Sequence, residues 1–181
     1  MNLVNKFLDE VLIFNLKKYE DNRGFFLEKY HQHRYSTYGI NMEFVQDSQS
    51  RSLKNVLRGL HLTINKPQSQ LMTVVRGKVF DVVVDIRKNS KTFGKYKGFI
   101  LSDEGPQQIL IPHGFAHGFC VLSEYADLVY KTTKLYDSDD EYGIVWNDSD
   151  IGIDWPIDNP IISNRDLNHG SLNDYLNLIN E

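Results

Sequence analysis

Short runs of β-type residues recur along the chain and constrain its fold more than any other feature of the sequence. The runs are rich in Val, Ile, Phe and Tyr, and turn-forming residues bound several of them. They predict strands over 11–14, 25–27, 42–45, 55–62, 71–75, 78–86, 96–101, 107–112, 114–122 and 126–136. Short strands at this spacing favour an all-β sandwich or barrel over alternating strand–helix–strand units.

Three local patterns refine this interpretation. Arg76-Gly77-Lys78 is typical of a tight hairpin between two of the strongest strands. Apolar residues at three- and four-residue spacing predict one helix over 172–179, with Ser171 as its cap. The acidic stretch 137–142 predicts a solvated loop, in which Glu141 is the one functional candidate.

Strand alternation indicates where a ligand could bind. Within 126–136, alternate residues share one face of the strand, and that row contains Leu128, Tyr130, Thr132, Lys134 and Tyr136. One face of a small barrel points into its lumen. Two tyrosines, a threonine and a lysine on that face would suit a polar pocket.

Composition excludes several classes of protein. The 181 residues fit one domain over 1–181, and a net charge of −4 without a basic block argues against nucleic-acid binding. No apolar run approaches the roughly 18 residues of a membrane span, and no secretion signal precedes the first strand. We therefore expect a cytoplasmic protein that binds neither nucleic acid nor membranes. Cys120, in an apolar run, is expected to be a buried structural thiol.

The six histidines divide into two groups. His31, His33 and His169 have polar neighbours and are predicted at the surface. His61 closes a strongly patterned strand, and His113 and His117 share a glycine-rich segment. The spacing from Pro112 to His117 resembles the second metal motif of cupins, but the first motif needs His-x-His followed by Glu. Because Leu62 and Thr63 follow His61, we predict no metal site.

Several cations could bind an anion such as a pyrophosphate. Arg23, Arg58 and Lys131 are the candidates, since an Arg guanidinium fits phosphate oxygens. No glycine-rich phosphate loop accompanies them. The residues alone thus indicate a β-barrel with a polar pocket.

An ordered set of motifs resembles the dTDP-4-dehydrorhamnose 3,5-epimerase family. Two of them are Val56-Leu-Arg-Gly-Leu-His61 and Ile111-Pro-His-Gly-Phe-Ala-His-Gly-Phe119. The others occupy 21–28, 44–47, 74–77, 82–87, 90–94, 130–133, 152–156 and 163–166. Each motif alone is weak, but their shared order over about residues 20 to 167 is specific.

This resemblance implies a cupin-type jelly roll that acts as a homodimer without metal or cofactor. The implied reaction is reversible proton removal beside the C4 ketone of a nucleotide-diphosphate 4-keto-6-deoxy sugar, hexose or heptose, with inversion at C3, C5 or both. His61 matches the family's base, Asp166 the carboxylate that orients it, and Tyr136 the acid on the opposite face. The matching substrate-binding positions are Arg23, Glu28, Gln46, Arg58, Gln70, His117, Glu141 and Arg165.

Strand parity raises a question about two of these positions. Arg58 and His61 are three residues apart, so a regular strand would point them to opposite faces. Two explanations stay open. Gly59 allows a β-bulge, or Arg58 serves the site of a neighbouring subunit.

The chain departs from the family at two places. Gln70 stands where the family has a lysine near the 4-keto oxygen, and Ser48-Gln49 replaces the usual Asn-His. A neutral donor stabilises an enolate less than an ammonium does. Lys66 is the candidate for supplying the missing positive charge. We therefore hypothesise a family variant that inverts a single centre or accepts a different 4-keto sugar.

Two alternatives to the epimerase are kept. A 3,4-ketoisomerase of a nucleotide 4-keto sugar would share the fold, but that group carries additional histidines after the base, where this chain has Leu62 and Thr63. A non-catalytic sugar-nucleotide-binding barrel is the other alternative, although His61, Asp166 and Tyr136 would be unexpected together there.

Overall fold

The computed structural model describes residues 1–180 and is built mainly from antiparallel strands. In chain order, the strands are β1 (Asn2–Phe7), β2 (Val11–Asn15), β3 (Lys18–Asp21), β4 (Gly24–Leu27), β5 (Gln46–Leu53), β6 (Leu57–Thr63), β7 (Gln70–Arg76), β8 (Lys78–Asp85), β9 (Tyr96–Ser102), β10 (Gln107–Ile111), β11 (Phe115–Val121), β12 (Tyr125–Thr132) and β13 (Glu141–Gly143). The helices are α1 (Gln32–Ser36), α2 (Asn164–Leu167) and α3 (Leu172–Leu178). This architecture confirms the all-β class with a few short helices.

Two sheets face each other. One has the strand order β1-β2-β10-β7-β12-β5, and the other has the order β13-β6-β11-β8-β9. Apolar side chains from the inner faces of both sheets form the central core, among them Ile13, Val74, Val83 and Leu128. Strands β3 and β4 form a separate two-stranded hairpin.

Further apolar layers cover the outer faces of both sheets. On β8, Val82 and Val84 pack outward against Leu172 of α3, while Val79 and Val83 point inward. Both faces of this strand are therefore buried, which explains its mainly apolar sequence. On the other sheet, Tyr35 of α1 belongs to an outer cluster around buried Phe14.

The structure corrects three local predictions. Arg76-Gly77-Lys78 is not a hairpin, because β7 and β8 belong to different sheets and the segment carries the chain from one to the other. Residues 42–45 are not a strand, and β12 ends at Thr132 rather than continuing to Tyr136. Helix α3 is confirmed, and Ser171 forms a capping box with Asp174.

The acidic stretch 137–142 is less solvated than predicted. Asp140 is buried and accepts hydrogen bonds from the backbone N–H groups of Asn65 and Lys66. Glu141 opens β13, which pairs with β6 beside His61. The stretch thus fixes the loop after β6 instead of only facing solvent.

Two further expectations can be compared with the structure. Cys120 is buried, as predicted, and burial raises the pKa of its thiol to about 12. Among residues 1–180, no helix is both long and apolar enough to cross a membrane.

Candidate active site

A cavity of about 570 Å³ opens between the two sheets. Its walls come from β6, β7, β11 and β12 and from the segments that follow β12 and precede α2. The predicted site residues that line it are Arg58, His61, Gln70, His117, Tyr136, Glu141, Arg165 and Asp166. From the predicted row on β12, Leu128 and Tyr130 also face the cavity.

A β-bulge at Gly59 answers the question of strand parity. His117 of β11 pairs with His61 of β6. Phe119, two residues further along β11, pairs with Arg58, which lies three residues before His61 on β6. The extra residue on β6 turns Arg58 and His61 toward the same cavity. Gly59 has a φ of +113°, and a Cβ there would lie 2.6 Å from the Cα of Gly118. Only glycine fits this close approach of β6 to β11.

His61 and Asp166 form the central contact of the cavity. Nε2 of His61 lies 3.0 Å from Oδ1 of Asp166, and Oδ2 of Asp166 accepts the N–H of Gly59 at 3.2 Å. Asp166 lies in the first turn of α2, where its N–H donates to the Oγ of the N-cap Ser163. The cap therefore fixes the helical turn that carries the carboxylate.

The electrostatics of this pair favour an ionised carboxylate. Burial raises the pKa of Asp166, but the hydrogen bonds from His61 and Gly59 outweigh it and lower that pKa to about 2. An ionised Asp166 accepts from Nε2–H of His61, so the lone pair of the ring is on Nδ1. That nitrogen, 3.7 Å from Oε1 of Glu141, is the one able to take up a proton.

Glu141 lies between His61 and Arg165. Its Oε2 pairs with Nη2 of Arg165 at 2.8 Å. The contact with Glu141, followed by that with the Tyr136 hydroxyl, raises the pKa of Arg165. Tyr136 itself is 59% exposed and its N–H donates to Oε1 of Gln46 at 2.8 Å. A proton donor and a proton acceptor thus line one cavity.

His117 is held by a second buried carboxylate. Its Nε2 lies 2.8 Å from Oδ2 of Asp81, which is fully buried in β8. The ring therefore has a fixed orientation at the cavity wall. Asp81 was not singled out from the sequence. Its signal was a charged residue inside an otherwise apolar strand.

The cavity wall near Gln70 contains the chain's departure from the family. Gln70 is partly buried, and its Nε2 makes one long hydrogen bond, of 3.4 Å, to Oε1 of Gln68. Lys66, which also lines the cavity, pairs with Asp137. The contact with Asp137 raises the pKa of Lys66, so the ammonium is retained at neutral pH.

Three of the predicted substrate-binding residues lie outside the cavity, and so does Lys131, a predicted anion-binding residue. Arg23 is exposed at the tip of the β3–β4 hairpin and pairs with Asp21 at 2.6 Å, and Glu28 pairs with Arg34 at 2.9 Å. Gln46 reaches the site only through the backbone of Tyr136. Lys131 pairs with Asp47 at 2.8 Å and does not line the cavity.

His169 was predicted at the surface, and that prediction is wrong. Its side chain is only 10% exposed and lies against Asp166. One ligand atom each from His61, Asp166 and His169 lie within 4.8 Å of one another, the one such group among residues 1–180. Three ligands fall short of the four of a structural zinc site, and Nε2 of His61 already donates to Asp166. We interpret the group as the hydrogen-bonded pair of His61 and Asp166 with the ring of His169 packed against it.

Comparisons with known proteins agree on one family. The family model for dTDP-4-dehydrorhamnose 3,5-epimerase matches residues 5–174. The chain is 49% identical over 170 residues to the dTDP-4-dehydrorhamnose 3,5-epimerase of Shigella flexneri, covering 93% of this chain and 94% of the relative. It is 39% identical over 148 residues to a dTDP-4-dehydrorhamnose 3-epimerase of Streptomyces niveus, covering 81% and 72%.

A solved structure extends this similarity to three dimensions. The dTDP-6-deoxy-D-glucose-3,5-epimerase of Legionella pneumophila Philadelphia 1, in complex with dTDP-4-keto-L-rhamnose, matches with a TM-score of 0.92 and 46% identity. The match covers 95% of this chain and 93% of that one. The shared fold confirms the cupin-type jelly roll implied by the motifs. The chain belongs to the dTDP-4-dehydrorhamnose 3,5-epimerase family.

Proposed function

We propose that the chain epimerises a nucleotide-diphosphate 4-keto-6-deoxy sugar, with His61 as base and Tyr136 as acid. The observation that carries this proposal is the contact of 3.0 Å between His61 and Asp166 inside a cavity that Tyr136 also lines. The carboxylate fixes the ring tautomer, so that Nδ1 is the free base. His117, which is paired with Asp81, lines the same cavity, but the family's base matches His61.

The reaction balances with these groups alone. Nδ1 of His61 takes the proton from the carbon beside the C4 ketone, and the C–H electron pair moves into an enolate. The ionised Asp166 stabilises the imidazolium that forms. Tyr136 then gives its hydroxyl proton to the opposite face of the same carbon, which inverts the centre. The imidazolium loses its proton and the phenolate regains one by exchange with water.

The polar wall of the cavity suits the rest of the substrate. Arg58 is exposed to the cavity, and its Nε donates to Oγ of Ser52 at 2.9 Å, which leaves the other guanidinium donors for a diphosphate. The amide of Gln70 is the group proposed to donate to the enolate oxygen. Similarity to enzymes named for dTDP-sugar substrates supports thymine as the nucleobase of the substrate.

Hydrogen exchange tests the proposed reaction. The protein is incubated with dTDP-4-keto-6-deoxyglucose in deuterated water, and incorporated deuterium is counted by mass spectrometry. Exchange at C3, C5 or both supports an epimerase, and deuterium at both positions contradicts inversion of a single centre. His61→Asn is expected to abolish exchange while binding of dTDP is retained. Absence of exchange with this and other 4-keto sugars in the wild-type protein would contradict the proposal.

We further propose that the protein is a homodimer in which the β3–β4 hairpin meets the partner. Phe25 and Phe26 are 63% and 66% exposed there, and Arg23 lies at the tip, away from the cavity of its own chain. A dimer would cover these aromatic rings and could bring Arg23 to the partner's substrate. Light scattering is expected to give twice the chain mass of 21.0 kDa. Phe25→Ser together with Phe26→Ser should give monomers, and a monomeric wild type would contradict the proposal.

A cytoplasmic location stays a prediction. Cys120 is a free thiol within the core, which agrees with a reducing compartment but does not require one. Fractionation of cells that produce the untagged protein is the test, and recovery in a secreted or membrane fraction would contradict the prediction.

A further inference from the structure

The imidazole of His169 is largely buried against the proposed catalytic pair, and one of its ring nitrogens has no partner. Its Nε2 atom is inaccessible to solvent and has no hydrogen-bond partner among residues 1–180. That atom lies 3.5 Å from Oδ1 of Asp166, the oxygen that also contacts His61. The rings of His61 and His169 meet edge to face, with centroids 5.7 Å apart and planes at 84°. A second imidazole therefore points at the same carboxylate oxygen.

Packing explains why a ring occupies this position, but not why the ring has a buried nitrogen. A Cβ at Gly143 would lie 2.3 Å from the His169 ring, so the ring fills the space that a side chain on β13 would take. Phenylalanine could fill that space as well. Leaving a buried polar nitrogen unpartnered costs free energy, and such groups concentrate where they have a function. A donor 3.5 Å from an ionised carboxylate needs only a small ring rotation to form a hydrogen bond.

We propose that His169 is a positioning residue for the epimerase reaction. Its Nε2–H donates to Oδ1 of Asp166, so that the negative charge of Asp166 is shared between His169 and His61. This inference rests on the proposed function. His169 does not touch the substrate. It acts through Asp166, holding the carboxylate in the plane of the His61 ring and limiting how strongly that carboxylate favours the imidazolium.

The surrounding charges fit a neutral His169. The charged groups that act on it are His61 from β6 and Arg165 and Asp166 from α2. Burial, and then the charge of His61, lower the pKa of His169. A neutral ring can donate to Asp166 without adding a second positive charge beside the imidazolium.

The sign of the effect follows from this arrangement. Without the donor from His169, the full charge of Asp166 acts on His61, so the imidazolium is more stable. The base must be neutral to accept a proton. The acidic limb of the pH profile of deuterium exchange should therefore move to higher pH.

Two variants separate positioning from packing. In His169→Phe a ring still fills the space and the donor is lost. The acidic limb should move to higher pH by about half a unit to one unit, so the exchange rate on that limb should be about three- to tenfold lower. In His169→Gln the amide Nε2 replaces the ring donor, and the limb should return to within about 0.2 units of wild type. A limb that stays in place in the Phe variant, or a Gln variant that behaves like Phe, would overturn the proposal. The melting temperature of each variant serves to separate loss of fold from loss of positioning.

A measurement on the wild-type protein does not depend on the variants or on activity. Long-range ¹H–¹⁵N spectra of the histidine rings report the tautomer of His169. The Nε2–H tautomer at neutral pH is the expected result, and the Nδ1–H tautomer would overturn the proposal because a lone pair cannot donate to Asp166. If the wild type exchanges no substrate hydrogen, the proposed function fails, whereas the tautomer still decides whether His169 donates.

Discussion

Nε2 of His61 lies 3.0 Å from Oδ1 of Asp166, although the two residues are 105 positions apart in the chain. Strand β6 supplies the ring and the first turn of α2 supplies the carboxylate. Because Asp166 is ionised well below neutral pH, it accepts the ring N–H throughout the physiological range. The lone pair of His61 is therefore on Nδ1, as its proposed role as the base requires.

Asp166→Asn should remove this control of the tautomer. The amide can turn its NH₂ toward Nε2, so that the ring proton moves to Nδ1 and the base is lost. We expect deuterium exchange to fall by about 10,000-fold, the loss known for this change in a catalytic triad. Asp150→Asn, at an exposed position, is the matched control and should keep the wild-type rate. An Asp166→Asn variant with a tenth or more of the wild-type rate would argue against an orienting role.

The sequence predicted the class of fold because strand signals are local. Alternation and residue type within a few positions located most strands, including β8, which is buried on both faces and apolar between its ends except at Asp81. Which strands pair is a non-local property. Arg76-Gly77-Lys78 therefore looked like a hairpin, whereas the two strands beside it enter different sheets.

The residues of the site were predictable only at positions that belong to the family motifs. His61 and Asp166 came from the family pattern, and the structure brings them into contact. His169 was assigned to the surface from its polar neighbours in the sequence, yet it is covered by Gly143 of a distant strand. Burial that depends on contacts across the chain leaves no mark in the local sequence.

Gly59→Ala should damage both the fold and the site. A Cβ at this position would lie 2.6 Å from the carbonyl oxygen of His117 as well as from the Gly118 Cα, and φ is +113°. Backbone atoms must move to make room, so we expect the free energy of unfolding to fall by about 3 kcal/mol. Exchange activity should fall with it because the bulge orients His61. Gly105→Ala, where no atom lies within 4 Å of the new Cβ, is the control for denaturation and exchange. Equal stability of the two variants would contradict the bulge's role.

Gln70→Lys should test the departure from the family. Gln70 faces the cavity and makes only one long hydrogen bond, so a lysine ammonium would have room to reach an enolate oxygen. Since a charged donor is about twice as strong as a neutral one, we expect the exchange rate to rise about tenfold. Gln68→Lys adds the same charge to the cavity wall two residues away and should not give this gain. A rate that is unchanged or lower in the Gln70 variant would show that this position does not face the enolate.

The stability of the fold should depend on pH through Asp85. Its side chain is fully buried and accepts hydrogen bonds from Nη2 of Arg87 at 2.7 Å and from Oγ of Ser90 at 2.6 Å. Burial raises the pKa of this carboxyl, but its hydrogen bonds outweigh burial and lower the pKa to about 2. A lowered pKa in the folded state means that the stabilisation is complete above the ordinary carboxyl range near pH 4 and is lost as the pH falls toward 2.

Asp85→Asn should therefore lower the free energy of unfolding by about 3 kcal/mol at pH 7, because the variant leaves the guanidinium of Arg87 without its buried partner. The difference between wild type and variant should shrink when denaturation is repeated between pH 4 and pH 2, where the wild-type carboxylate takes up its proton. Asp103→Asn removes an exposed carboxylate and should change little at any pH. A difference between wild type and Asp85→Asn that stayed constant down to pH 2 would mean that the stabilisation comes from packing of the side chain and not from its charge.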